Sequence, residues 1–201
     1  GNNNSNSVYA GSLSDAGAGN YYAGSLIKAG TGLFTLSGTN TFGTAAVIMA
    51  GPGTMNLTGA NTYTGPTYIN GPSLLGTNNV SNTAPGAPSK YPAGTLQIGN
   101  GGTSGTLAGA VNNSGTVTFN RSDTVTFAGT ITGSGSVVQA GPGTTVLTGN
   151  SSYDGSTTIS AGALSVRAAI AQYVFFVAAT GFVLFYLPTV SAAWIAVWVV
   201  L

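Results

Sequence analysis

The feature that most constrains this chain is internal repetition. Residues 50–69 read AGPGTMNLTGANTYTGPTYI and residues 140–159 read AGPGTTVLTGNSSYDGSTTI, a gap-free match at an offset of 90 residues. Residues 29–42, AGTGLFTLSGTNTF, align at an offset of 21 and pair Leu36 with Leu57, Gly38 with Gly59, Asn40 with Asn61 and Phe42 with Tyr63. AGTLQI at 93–98 recurs as AGALSV at 161–166, an offset of 68. These offsets fall near one, three and four multiples of roughly 22 residues, a period at which self-similarity means a stack of like units.

Within a unit the period is two. In Thr54-Met55-Asn56-Leu57-Thr58, Met55 and Leu57 share one face while Thr54, Asn56 and Thr58 share the other. Phe34 and Leu36, or Thr145 and Leu147, take the same inward places. Gly53 and Gly59 bracket the strand, and Gly51-Pro52 and Gly141-Pro142 mark corners. The stretch 115–138 adds GTVTF, DTVTFAGTI and GSGSVV, further short strands between Gly, Asn and Ser turns. Two or three such strands cannot bury their own apolar face. Stacked at about 4.8 Å per turn, they form one continuous core. A propeller blade wants about 40 residues or more, so it fits this period less well. The expected architecture is an all-β parallel β-helix of roughly 22-residue turns, about seven of them over residues 1–166. Residues 1–28 form a polar start, 29–166 the repeats, and 167–201 a distinct tail.

Composition narrows the chemistry. The 201 residues hold four Lys+Arg and three Asp+Glu, with no His and no Cys. The acids are Asp15, Asp123 and Asp154. General acid–base catalysis needs titratable groups placed together, and three scattered aspartates supply neither paired carboxylates nor a metal ligand set. The absence of Cys removes thiolate nucleophiles and disulfides. The expectation is a protein that is not an enzyme, with no catalytic, cofactor-binding or metal-ligating residues and no cofactor. Lys28, Lys90, Arg121 and Arg167 are too few and too dispersed for a phosphate-tracking patch, so no nucleic-acid partner is expected. No basic, apolar-cored leader opens the chain at Gly1.

The repeat resembles the autotransporter-associated β-strand repeat of bacterial passenger domains. The residues that carry the resemblance are Gly53-Thr54, Leu57-Thr58-Gly59, Asn61-Thr62-Tyr63-Thr64-Gly65 and Ile69, and again Gly141 to Val166, where Ser151 and Asp154 replace the usual Asn and Thr. The resemblance covers about residues 29–166. It implies a right-handed β-helix passenger, exported and displayed at the bacterial surface or released, with a structural or adhesive role and host or surface glycans or proteins as partners. It carries no catalytic residues. The family's C-terminal outer-membrane barrel does not follow, since its strands would alternate apolar and polar over about ten residues.

After Arg167 the chain turns apolar. Residues 168–201 contain no charge, and Ala168 to Leu187 is a stretch of twenty residues, the length of one membrane-spanning helix, with Pro188 to break it and Trp194 and Trp198 suited to an interface. Three readings stand: a helical membrane anchor over 168–201, a spurious reading frame, and a buried core element. A membrane-anchored repeat protein with a functional tail is the alternative to the passenger, and a polysaccharide-acting β-helix enzyme a further one.

The remaining candidates have plain readings beside functional ones. Gly99, Gly101, Gly102 and Gly105 read as a turn, not a phosphate cradle. Arg121 and Asp123 read as a surface ion pair or solvated charges ahead of a sugar-binding patch. Phe42, Tyr63 and Tyr153 share a repeat position and could stack on glycans, although such ladders more often pack on themselves. Outward threonine rows are interrupted where Asn56 aligns with Val146.

Overall fold

The computed structural model describes residues 5–14, 25–41, 43, 45–69 and 94–167, and the backbone of three further strands beyond them. The repeats coil into a parallel β-solenoid of three walls. The first wall stacks β1 (Ser7–Tyr9), β3 (Phe34–Leu36), β5 (Thr54–Leu57), β8 (Thr95–Ile98), β11 (Thr116–Phe119), β14 (Ser136–Gln139) and β17 (Thr157–Ile159), so its seven strands enclose about six turns. The second wall holds β6 (Ala60–Asn61) on β9 (Thr106–Leu107), then β12 (Thr124–Phe127), β15 (Thr144–Leu147) and β18 (Ala163–Arg167). The third holds β2 (Leu26–Lys28), β4 (Val47–Met49), β7 (Thr67–Ile69), β10 (Val111–Asn113), β13 (Ile131–Gly133) and β16 (Ser152–Tyr153).

Alternation decides what each wall buries. On the first wall Met55, Leu96, Val117 and Val137 stack in one inward row, and Leu36, Leu57, Ile98, Phe119, Gln139 and Ile159 in the next. Val47, Thr67, Val111 and Ile131 face them from the third wall. The Phe119 and Phe127 rings bridge the first and second walls, centroids 5.8 Å apart and tilted by 60°, a favoured aromatic geometry. The inward places expected for Met55, Leu57, Leu36, Thr145 and Leu147 are all observed.

The turn is shorter than the sequence offsets suggest. Register partners lie 21 residues apart at Phe34 and Met55, 20 at Val137 and Thr157, and 19 at Thr144 and Ala163. The expected 22 is corrected to 19–21. Its source is geometric: only the offset of 21 joins strands of one wall. Three turns carry Thr54 through Thr95 and Thr116 to Ser136, and the chain then steps to Thr144 on the second wall. The copies at 50–69 and 140–159 therefore occupy different walls. TMNL lies in wall one and TTVL in wall two, TYI in wall three and TTI in wall one. Two steps along the first wall are longer: 27 residues separate Ser7 from Phe34, and 41 separate Thr54 from Thr95.

Beyond Arg167 the described backbone comprises β19 (Val174–Ala178), β20 (Gly181–Phe185) and β21 (Trp194–Trp198). The expectation of a membrane helix in the tail rests largely on residues, and on side chains, that lie outside those described. Among the described residues no helix is long and apolar enough to cross a membrane.

Candidate functional surfaces

Several polar residues inside the solenoid serve its corners. Lys28, 6% exposed, ends β2 and donates from Nζ to the carbonyl oxygens of Ala29 at 3.3 Å and Gly30 at 3.0 Å. Burial lowers its pKa below the ordinary lysine value. Gln139 occupies the equivalent repeat position on another wall and does the same work. Its Nε2 donates to the carbonyls of Gly141 at 2.8 Å and Gly143 at 3.2 Å. A cleft of about 310 Å³ opens beside Lys28, lined also by Ser5, Ser7, Leu26, Leu33 and Phe34.

Asparagine and tyrosine do likewise. Asn40 and Asn61, paired in the sequence alignment, form a bridge with Asn40 Nδ2 donating to Asn61 Oδ1 at 2.6 Å. Each also donates to the glycine two residues before it, Gly38 and Gly59. Tyr63, 1% exposed, bonds Thr67 Oγ1 through its hydroxyl at 3.0 Å, and Tyr153 bonds Thr157 at 2.8 Å. Burial pushes the Tyr63 pKa up to about 12, with the Thr67 bond opposing the shift, and raises that of Tyr153 for the same reason. Tyr63 faces the core and cannot stack on a glycan. Tyr153 lies on the third wall, so the two do not form one ladder. Phe42 lies outside the described residues.

Arg121 forms the expected ion pair with Asp123, but its side chain is neither at the surface nor solvated. It is 6% exposed and buried beneath the loop Gly99–Gly105. Nε and Nη2 hold Asp123 Oδ1 and Oδ2 at 2.8 and 2.7 Å, while Nη1 and Nη2 donate to the carbonyls of Gly105 at 2.6 Å and Thr103 at 2.5 Å. The guanidinium fork thus spends its donors on a loop and a carboxylate. The hydrogen bond from Arg121 holds the Asp123 pKa below the usual range. The signal for this role was in the sequence: a glycine-rich loop of carbonyls sits one turn before an Arg in a chain nearly free of charge.

Asp154 is exposed and Asp123 partly so, while the outward face of the first wall is neutral and largely hydroxylated. On the first wall Thr54, Thr95, Thr116 and Ser136 form one outward row, and Thr35, Gln97, Thr118, Val138 and Thr158 a second, in which Asn56 is covered and only 4% exposed. Asn56 is stacked with Gln97 and not with Val146, which lies on the second wall. Among the described residues no group of three or more His, Cys, Asp or Glu gathers to hold a metal.

The family model of the passenger-associated transport repeat matches three segments, residues 26–44, 47–71 and 137–166. The first two begin on wall three and the third begins on wall one. No curated protein and no solved structure matches the chain.

Proposed function

We propose that this chain, a β-solenoid carrying passenger-associated transport repeats, is a segment of an autotransporter passenger that serves outside the bacterial cell as a non-catalytic spacer and adhesive rod. The observation that carries the reading is the coincidence of the matched segments with whole sets of stacked strands, β2–β3, β4–β7 and β14–β18. A rod of about six turns at about 4.8 Å each extends roughly 30 Å, and its stability is shared between neighbouring turns. That suits a chain threaded through an envelope, because each turn needs only the one before it to bury its face.

The chemistry of the described residues supports a scaffold over an enzyme. Lys28 and Arg121 are committed to backbone carbonyls, and Arg121 to Asp123 as well. The outward rows of the first wall present Thr, Ser and Gln, which suit polyhydroxyl or protein surfaces without charge selection, and glycans or proteins of a host or neighbouring cell are the proposed partners. The coil is taken to be right-handed, as parallel crossovers are.

Surface display is testable on intact cells producing the full-length protein. An epitope placed after Gly102, where no atom lies within 4 Å of a Cβ position, should be cut by external protease. Epitope protection in whole cells, with cleavage only after lysis, would overturn the passenger reading.

A further inference from the structure

The loop between β8 and β9 presents an Asn-Gly pair, Asn100-Gly101, in which Asn100 is exposed. Such a pair is chemically poised for cyclisation, because glycine has no Cβ to obstruct its nitrogen. The amide nitrogen of Gly101 attacks Cγ of Asn100 and forms a new bond to it. The bond between Cγ and Nδ2 of Asn100 breaks, and ammonia leaves with the proton from the Gly101 amide. Water then opens the succinimide to isoaspartate or aspartate. One contact favours the reaction: Gln97 Nε2 donates to Asn100 Oδ1 at 3.4 Å and polarises the carbonyl under attack.

The nucleophile, however, is engaged. The N–H of Gly101 donates to the carbonyl of Asn120 at 2.8 Å, and Gly101 sits at φ 82°, a left-handed conformation suited to glycine. The next residue along from that acceptor is Arg121, which holds the loop again at Thr103 and Gly105. Ser122 adds a bond from its N–H to the Gly102 carbonyl at 3.0 Å. Four bonds from one corner, residues 120–122, thus fix the backbone that would have to swing for cyclisation, and Asp123 orients the guanidinium that makes two of them.

We infer that Asn100-Gly101 is a deamidation site that the fold keeps closed, with the Arg121–Asp123 clamp setting how often it opens. Conversion to isoaspartate would add a carbon to the backbone and a carboxylate to the loop. Both changes are incompatible with the present Gly101–Asn120 bond, so the modification would detach the loop irreversibly. The rod would then carry a record of loop opening.

The test is peptide mass mapping of the full-length protein after incubation at mildly alkaline pH, comparing wild type with Asp123→Asn and Arg121→Gln. Reaction from a locally opened state scales with the opening equilibrium, so weakening one charge-assisted contact should accelerate modification at Asn100 roughly tenfold. The Gly101 amide should lose protection against hydrogen exchange in parallel. Asn113-Ser114 serves as the internal reference, since Asn113 is buried and its Oδ1 accepts from the N–H of Gly115 at 3.0 Å. Equal rates at Asn100 in all three proteins would overturn the inference. So would acceleration in step at Asn113, because the variants would then be opening the whole solenoid and not a clamped loop.

Discussion

Individual side chains in this rod are judged by whether the corner or core around them satisfies their polar atoms. Thr145 is the clearest case of one that is not. It is 1% exposed, stacked between Val125 and Leu164, and its Oγ1 has no hydrogen-bond partner. Its repeat equivalent on another wall is Met55, which is wholly apolar. A buried hydroxyl without a partner costs about 1–3 kcal/mol, so Thr145→Val is expected to raise stability by about 1 kcal/mol, read as a higher urea midpoint at unchanged slope. Tyr63 is the opposite case. Removing its hydroxyl leaves Thr67 Oγ1 buried and unpaired, and Tyr63→Phe is expected to cost about 1–3 kcal/mol. The pH dependence follows from linkage. The folded pKa of about 12 lies above the ordinary 10.0, so the unfolded chain loses this proton first. The stabilisation is therefore complete below pH 10 and falls as pH rises toward 12. A pH series of urea midpoints should show this decline in wild type and a smaller one in Tyr63→Phe.

At the scale of strands and corners, the repeat unit is portable between walls. Lys28 and Gln139 cap equivalent corners on the third and first walls, and the Tyr63–Thr67 and Tyr153–Thr157 pairs span different pairs of walls. The shared element of the three copies is the Leu-Thr-Gly corner, with Ser37 in place of Thr in the first. A Cβ at Gly59 would strike the carbonyl of Gly38, and one at Gly149 the carbonyl of Gly129, because each corner rests directly on the one below. Gly59→Ala and Gly149→Ala should each cost about 1–3 kcal/mol through overpacking against backbone that cannot yield, with similar losses on the two walls. Gly102→Ala, with open space around it, should leave the thermal midpoint unchanged. Much of this was legible in the sequence: period-two alternation placed Met55, Leu57, Leu36 and Leu147 inside, and the offset of 21 placed Asn40 against Asn61. Wall assignment was not legible, because no residue in the unit marks which wall it belongs to. Phase is set by the summed lengths of the corners between copies, and those corners vary by single residues. The burial of Arg121 was missed for a related reason, since the loop it anchors lies 16 residues earlier in sequence and one turn away in space.

For the whole molecule, a stack in which each turn touches only its neighbours should tolerate loss of a complete turn and reject loss of half of one. Residues 128–147 are a natural unit for removal. They are twenty residues, and they take out β13, β14 and β15, one strand from each wall. Phe127 would then join Thr148, as Leu147 does now, leaving β12 to pair with β18, β11 with β17 and β10 with β16. The inward rows would stay inward: Val125 would meet Leu164, and Phe127 would meet Val166. Gly149 would rest on Gly109, as Gly129 does at present. Deleting 128–137 instead removes half a turn, and every later strand would arrive at a wall whose neighbours are out of phase. The expected result is a cooperative urea transition for the first variant, at a lower midpoint because one interface between turns is gone, and no cooperative transition for the second. Equal tolerance of both would mean that stability is not organised by nearest-neighbour stacking, and that a local core dominates the rod in place of its corners and walls.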